Sequence, residues 1–250
     1  MTHNARPYWP YPQLIAHRGA GLHAPENTLS AMRFGVAQGF KMIEFDVKLS
    51  RDAVPILLHD DDLERTSNGS GRAADYSLAE LQHFDFGSWL DKKFAGEPIL
   101  SLATLSRFAQ QHTIACNIEI KPTTGDEVVT GALVAKAAAQ LWQHSACLPL
   151  LSSFSETALA AAKLAAPHLP RGLLFEGPVP SDWAQRAQAL GCLSLNLDNQ
   201  YVTQELVQAM HQAGYAVTVW TVNDAQRLAE LRTWQVEGIF TDQVIDFAEL

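Results

Sequence analysis

Short apolar runs rich in Val, Ile and Leu alternate along this chain with longer amphipathic stretches. Such runs are typical of buried parallel strands, and the stretches between them are typical of helices that cover a sheet. The predicted strands are residues 14–16, 41–47, 114–120, 148–151, 172–175, 193–197, 216–220 and 238–240. The pattern therefore predicts repeated strand and helix units around one parallel sheet.

The amphipathic stretches complete these units. The predicted helices are residues 26–38, 125–143, 156–165, 181–190, 203–212 and 224–233, followed by a short tail at 244–250. Eight units in order, without a Gly-rich phosphate fingerprint, favour a closed (β/α)8 TIM barrel over an open doubly wound sheet. The predicted fold class is therefore α/β.

One stretch, residues 47–100, is too long for a single unit, because a whole βαβ motif takes only ~30 residues. It contains a predicted hairpin of residues 48–50 with 54–58, a polar loop at 66–71 and an aromatic-rich segment. We expect a small insertion after the second strand, lying over the barrel mouth. Since no repeat or linker divides the chain, residues 1–250 are predicted to form one domain.

Composition and charge limit the function. The 250 residues are 47% hydrophobic and 18% charged, which is enough apolar material for one substantial core. A formal net charge of -9 argues against non-specific nucleic-acid binding, which requires a basic surface. If the ligand is an anionic phosphodiester, some local feature must overcome this charge, and a bound cation is the simplest candidate.

Targeting signals and cysteines indicate the compartment. Residues 1–12 lack the basic start and apolar core of a secretory signal, and no apolar run has the length of a membrane helix. Cys116, Cys147 and Cys192 lie in apolar stretches without CxxC spacing, which predicts free thiols. We therefore expect a cytoplasmic protein without stable membrane association.

Polar residues appear where the apolar runs stop, which is where a barrel places its catalytic groups. Alternate side chains of a strand share one face, so Glu44 lies with Asp46, and Asn117 lies with Glu119 and Lys121. These charged faces must point into the barrel, since the apolar faces are needed against the helices.

Three inward carboxylates predict a metal site. Glu44, Asp46 and Glu119 would converge, and unpartnered carboxylates in a poorly solvated site resist joint ionisation. A divalent cation resolves this repulsion, and all-oxygen ligation suits Mg²⁺ or Ca²⁺. Any one of these acids alone is better explained as a surface or salt-bridged residue, but the set favours a cation.

Two histidines follow apolar runs near the same end of the barrel. His17 and His59, with ordinary pKa values near ~6.5, can share proton transfer between a nucleophile and a leaving group. Arg18 and Lys121 can bind phosphate oxygens, neutralise neighbouring acids, or do both. Trp220 ends the seventh strand, where it either lines the mouth or packs in the core.

Several motifs follow one another along nearly the whole chain. They are HRG at 17–19, APENT at 24–28, IEFDV at 43–47, LHD at 58–60, LERT at 63–66, NIEIKP at 117–122, LSSF at 151–154, WTVN at 220–223 and TD at 241–242. This ordered series resembles the glycerophosphodiester phosphodiesterases, most closely the short cytosolic bacterial branch of that family.

The resemblance implies metal-dependent hydrolysis of glycerophosphodiesters to sn-glycerol 3-phosphate and an alcohol on a (β/α)8 barrel. It implies Mg²⁺ or Ca²⁺ on the three acids, acid–base roles for the two histidines, and phosphate contacts from the two cations. The matching residues are Glu44, Asp46 and Glu119, then His17 and His59, then Arg18 and Lys121. Trp220 would line the glycerol side, and Glu26 would lie at the edge, where it holds Arg18 or touches the metal shell.

The mechanism implied by the resemblance has two steps. The glycerol hydroxyl next to the phosphoester attacks phosphorus, and water then opens the resulting cyclic phosphate. Which of His17 and His59 is the base and which is the acid is left open.

The sequence is also compatible with two other functions. Barrel phosphodiesterases that act on lipid head groups need an apolar or basic membrane-facing surface. The net negative charge of this chain does not favour such a surface. A non-catalytic protein could hold a phosphorylated ligand in the same barrel, but it would be expected to lack one of the histidines or acids. Either a monomer or a symmetric dimer is compatible with the sequence.

Overall fold

Eight parallel strands close into a barrel in the computed structural model, which describes residues 7–19 and 21–244. The strands of the sheet are β1 (Leu14–Ala16), β2 (Met42–Leu49), β3 (Pro55–Leu57), β4 (Ala115–Ile120), β5 (Leu150–Ser153), β6 (Arg171–Phe175), β7 (Ser194–Asp198), β8 (Ala216–Trp220) and β9 (Gly238–Thr241). β1 pairs in parallel with both β2 and β9, which closes the ring, while β3 pairs antiparallel with β2. The predicted (β/α)8 fold is confirmed.

Helices separate the barrel strands along the chain. They are α1 (Leu29–Ala37), α2 (Leu78–Leu81), α3 (Leu102–Gln111), α4 (Glu127–Leu141), α5 (Glu156–Ala165), α6 (Trp183–Leu190), α7 (Gln204–Gln212) and α8 (Ala225–Thr233). The predicted tail at 244–250 lies outside the described residues, apart from Val244. Within the described part of the chain, no helix has the length and apolar character that a membrane crossing requires.

The first helix begins later than predicted. α1 begins at Leu29 rather than at residue 26, because the Thr28 side chain accepts a hydrogen bond from the backbone N–H of Ala31 and caps the helix. Asn27 has φ 60°, outside the right-handed helical range. Its side chain bonds Asp46 instead, so the segment before α1 contributes to the polar interior of the barrel.

The sequence prediction missed α3, which completes the unit between β2 and β4. Ser101 caps this helix by accepting a hydrogen bond from the backbone N–H of Thr104, and Leu102, Leu105 and Phe108 are buried. A serine cap followed by apolar residues at helical spacing is a signal that predicts this helix.

The register between β2 and β4 places acidic side chains next to one another. Glu44 pairs with Asn117, and Asp46 pairs with Glu119. An apolar cluster includes Met42 and Ala115, two positions before Glu44 and Asn117 in these strands, together with Ile15, Leu150 and Phe240 of other strands. The polar layer of the barrel therefore rests on an apolar floor.

The insertion between β3 and α3 has a small apolar core of its own. Its buried side chains include Leu58, Leu63, Leu81, Phe86 and Ile99. The register of β3 with β2 pairs Val47 with Leu57, at the carboxyl end of β2. The loop that follows β3 is thereby held at the barrel mouth.

Gly35 in α1 packs directly against the loop that follows β1. A Cβ atom here would lie 2.2 Å from the backbone oxygen of Gly19, far inside van der Waals contact. We expect Gly35→Ala to lower the free energy of unfolding by about 1–3 kcal/mol, as overpacking does, measured by urea denaturation. The control Ala37→Ser, at an exposed position of α1, should change it by less than about 0.5 kcal/mol. Equal effects would contradict this close packing.

Candidate active site

His17 directly follows β1, and a carboxylate fixes its ring. Nδ1 of His17 lies 2.6 Å from Oδ1 of Asp242, just beyond β9. The side chain of Asn223 holds Asp242 in turn, donating to Oδ2 at 2.9 Å and accepting from the backbone N–H at 2.8 Å. With Nδ1 engaged, Nε2 of His17 is available for proton transfer and lies 3.9 Å from Oε2 of Glu44.

His59 has a matching arrangement in the insertion. Its Nδ1 lies 2.6 Å from Oδ1 of Asp60. Its backbone oxygen accepts a hydrogen bond of 3.0 Å from Nζ of Lys48, a fully buried side chain. Both the ring and the backbone of His59 are therefore held, and Nε2 is available for proton transfer.

The two histidines differ in their affinity for a proton. Burial lowers the pKa of His17, but the bond to Asp242 and the charge of Glu44 together raise it above its ordinary value. For His59, burial and nearby positive charges prevail, so its pKa is lowered. His17 therefore binds a proton more tightly than an ordinary histidine and His59 binds one less tightly, which suits a pair that shares acid and base functions.

Glu44, Asp46 and Glu119 form an acidic cluster above the apolar floor. One carboxylate oxygen from each lies within 4.8 Å of the others. Oε2 of Glu44 accepts the backbone N–H of Arg18 at 3.0 Å, while its Oε1 is buried with no hydrogen-bond partner among the described residues. Asn27 donates to Oδ2 of Asp46 at 2.9 Å. The cluster is thus preformed, with one buried oxygen left unsatisfied.

The carboxylates of this cluster do not ionise independently. Burial and the charge of Asp46 raise the pKa of Glu44 to about 8, and they also raise the pKa of Glu119. Burial acts on Asp46 in the same direction, but positive charges, chiefly that of Arg18, lower its pKa to about 2. A divalent cation would supply the missing positive charge, and an all-oxygen donor set with an unsatisfied oxygen fits a hard cation.

Two basic side chains flank the cluster. Arg18 donates from Nη1 to Oε1 of Glu26 at 2.8 Å, and its Nε lies 3.5 Å from Oδ2 of Asp46. Lys121 donates to Oε1 of Glu119 at 2.9 Å and lies 3.9 Å from Oδ1 of Asp46. Both basic side chains neutralise neighbouring acids, and both also line the cavity above the cluster, where an anion can reach them.

This cavity has a volume of about 460 Å³, within the range of small-molecule sites. The predicted site residues that line it are His17, Arg18, Glu44, His59, Glu119, Lys121 and Trp220. Trp220 stands perpendicular to Phe154, with ring centroids 5.4 Å apart, and its indole N–H donates to the backbone oxygen of Asn196 at 3.3 Å. Half-buried Trp220 therefore forms part of the aromatic wall of the cavity.

Two predicted site residues are not among the described residues that line the cavity. Asp46 is 1% exposed and lies within the acidic cluster. Glu26 is not one of the three clustered acids; it bonds Arg18 and also Arg65, whose Nη1 donates to it at 2.7 Å. Of the two positions expected for Glu26, the structure shows the one that holds Arg18.

Sequence reasoning gave no role to several residues that the structure brings to the site. They are Asn27, Asp60, Phe154 and Asp242. An acid next to a candidate histidine is a signal for Asp60, because proton-transferring and metal-binding histidines usually donate their second ring N–H to a carboxylate. Asp242 has only the weaker signal of an acid that follows a strand.

Nearly the whole chain matches one enzyme family, since a sequence model of the glycerophosphoryl diester phosphodiesterase family matches residues 17–246. The chain belongs to this family. A glycerophosphodiester phosphodiesterase from Caldanaerobacter subterraneus subsp. tengcongensis is 31% identical over 229 residues, covering 92% of this chain and 93% of that protein. A second one, from Bacillus subtilis, is 27% identical over 245 residues, covering 91% of this chain and 82% of that protein.

A solved structure agrees with the family assignment. An Oleispira antarctica phosphodiesterase in complex with the product sn-glycerol-3-phosphate is 34% identical, with a TM-score of 0.87 over 93% of each chain. The resemblance stated from the motifs is confirmed, and the chain is a phosphoric diester hydrolase with glycerophosphodiester phosphodiesterase activity.

Proposed function

We propose that the enzyme releases sn-glycerol 3-phosphate and an alcohol with the help of Mg²⁺ or Ca²⁺ held by Glu44, Asp46 and Glu119. The main support is the convergence of this acidic cluster, two carboxylate-held histidines and two basic side chains at one cavity. The Oleispira antarctica relative holds sn-glycerol-3-phosphate as its product, which favours the same product here. When bound, the cation would polarise a phosphate oxygen and offset the charge of the transition state.

The first step forms a cyclic phosphate. Arg18 and Lys121 bind non-bridging oxygens and orient the phosphodiester. One histidine accepts at Nε2 the proton of the C2 hydroxyl of glycerol, whose oxygen bonds to phosphorus. The bond from phosphorus to the alcohol oxygen breaks, and the other histidine donates its proton to that oxygen.

The second step reverses the roles of His17 and His59. The ring that gave up its proton now accepts one from water, whose oxygen bonds to phosphorus. The bond from phosphorus to the C2 oxygen breaks, and the other ring returns its proton to that oxygen. Both histidines regain their starting states. Trp220 lines the glycerol side of the cavity throughout, and Glu26 holds Arg18.

A pair of substrates tests this mechanism. Glycerophosphocholine carries the C2 hydroxyl, whereas its 2-deoxy analogue has the same phosphodiester without that hydroxyl. We expect the analogue to be turned over more than about 10³-fold more slowly, because well-oriented intramolecular attack has effective molarities of roughly 10⁵ M or more. The measurement is choline release from both substrates. Equal rates would exclude the cyclic phosphate and leave diester hydrolysis itself intact.

A further inference from the structure

Arg65 in the insertion bonds two different carboxylates. Its Nη1 and Nη2 donate to Oε2 and Oε1 of Glu26 at 2.7 and 2.9 Å. Its Nε and Nη2 donate to Oδ2 and Oδ1 of Asp60 at 2.5 and 3.1 Å. One guanidinium thus makes a two-point contact with each carboxylate, the geometry in which arginine is most specific.

Each of these carboxylates holds a different residue of the cavity. Oε1 of Glu26 accepts the Arg18 bond of 2.8 Å, and Oδ1 of Asp60 is the 2.6 Å partner of Nδ1 in His59. A continuous chain of hydrogen bonds therefore runs from Arg18 through Glu26, Arg65 and Asp60 to His59.

We propose that Arg65 is a positioning residue that sets the placement of Arg18 relative to His59. This role rests on the proposed function, in which Arg18 binds the phosphate and His59 transfers a proton. The barrel supplies Arg18 from the loop after β1, whereas the insertion supplies His59. Arg65 joins these two parts of the chain through their carboxylates.

The backbone at Arg65 is anchored although its side chain is exposed. Leu63 and Thr66 are 0% and 3% exposed, and the backbone N–H of Leu63 donates to the oxygen of Gly71 at 3.0 Å. The Arg65 side chain is 44% exposed, so its ion pair with Asp60 contributes little to folding stability. Glu26 is 11% exposed, but it keeps its bond to Arg18 when Arg65 is lost. The expected consequence of losing Arg65 is therefore kinetic rather than a loss of the fold.

The two ends of the chain of bonds predict separate kinetic effects. Glu26→Gln weakens the hold on Arg18 and should mainly raise KM. Asp60→Asn weakens the orientation of the His59 ring and should mainly lower kcat. Arg65→Met should do both and lower kcat/KM by about 10- to 100-fold, the range for residues that orient site groups. Arg65→Lys should retain only part of the wild-type kcat/KM, because one ammonium cannot make both two-point contacts.

The test measures kcat and KM for glycerophosphocholine, with released sn-glycerol 3-phosphate as the readout. It includes the four single variants and the double variant Arg65→Met with Asp60→Asn. Because both substitutions act on His59, the double variant should have nearly the kcat of Asp60→Asn alone. Arg51→Met is the matched control: it removes an exposed arginine paired with Glu80 and should leave both constants unchanged.

Any of three results would overturn the positioning role of Arg65. The first is a set of wild-type kcat and KM values for Arg65→Met. The second is a loss of kcat that adds fully to that of Asp60→Asn, and the third is a loss that disappears when rates are corrected for the folded fraction found by thermal unfolding. All three can occur in an active enzyme, so the proposed function would stand. A wild-type enzyme that releases no sn-glycerol 3-phosphate would contradict the proposed function instead.

Discussion

Replacing His59 with alanine is expected to lower kcat by about 10²- to 10⁴-fold, the range for loss of a general acid or base. His17→Ala should have an effect of the same size, because each ring transfers a proton in both steps. The double variant should lose little more than either single variant, since residues that act as a unit are not additive. The measurement is kcat for release of sn-glycerol 3-phosphate, with circular dichroism to establish folding.

His23→Ala is the matched control for these histidine variants. His23 is exposed and stacks on Phe34, with ring centroids 5.4 Å apart. Its replacement should leave kcat at the wild-type value. Full activity in the variant that lacks both His17 and His59 would rule out the acid–base mechanism.

Chelation of divalent cations by EDTA is expected to abolish activity and to lower the thermal unfolding midpoint. Without a cation, the buried carboxylates of Glu44, Asp46 and Glu119 repel one another. A ligand of the folded state at 100 times its Kd adds ~2.7 kcal/mol, which for a chain of this size is roughly 5–10 °C. Thermal scans and assays with added Mg²⁺ or Ca²⁺ measure both effects and identify the preferred ion.

The Glu44→Gln variant distinguishes cation binding at the acidic cluster from non-specific effects of added ions on the protein. It removes one ligand charge, so the unfolding midpoint should respond less to added cation, and the activity should be lost. Glu64→Gln is the control, because exposed Glu64 bonds the backbone N–H of Gly71 away from the cluster. Full activity in EDTA, or an undiminished midpoint shift in Glu44→Gln, would contradict a metal site at these acids.

The acidic cluster could be predicted from the sequence because its geometry is largely local. Glu44 and Asp46 share a face through the two-residue period of one strand, and Glu119 follows the same rule in another. The in-register pairing of β2 with β4 then places Asp46 beside Glu119. Strand period and barrel class together are enough to bring these acids to one place.

The contact that fixes His17 depends on chain closure and could not be predicted in the same way, whereas His59 is fixed by its neighbour Asp60. His17 and Asp242 are 225 positions apart and meet only because β1 pairs with β9. The bonds of Arg65 depend on how the insertion folds over the barrel, and no periodic pattern specifies that path. The observed start of α1 differs from the predicted start at residue 26 for a local reason, since Thr28 caps the helix.

A crystal structure of the enzyme with Ca²⁺ and sn-glycerol 3-phosphate tests the assignment of this site most directly. We expect the ion to be bound by Glu44, Asp46 and Glu119 with oxygen distances of about 2.3–2.6 Å. The phosphate should contact Arg18 and lie in the cavity of about 460 Å³. An ion bound away from these three acids, or a phosphate outside the cavity, would contradict the assignment.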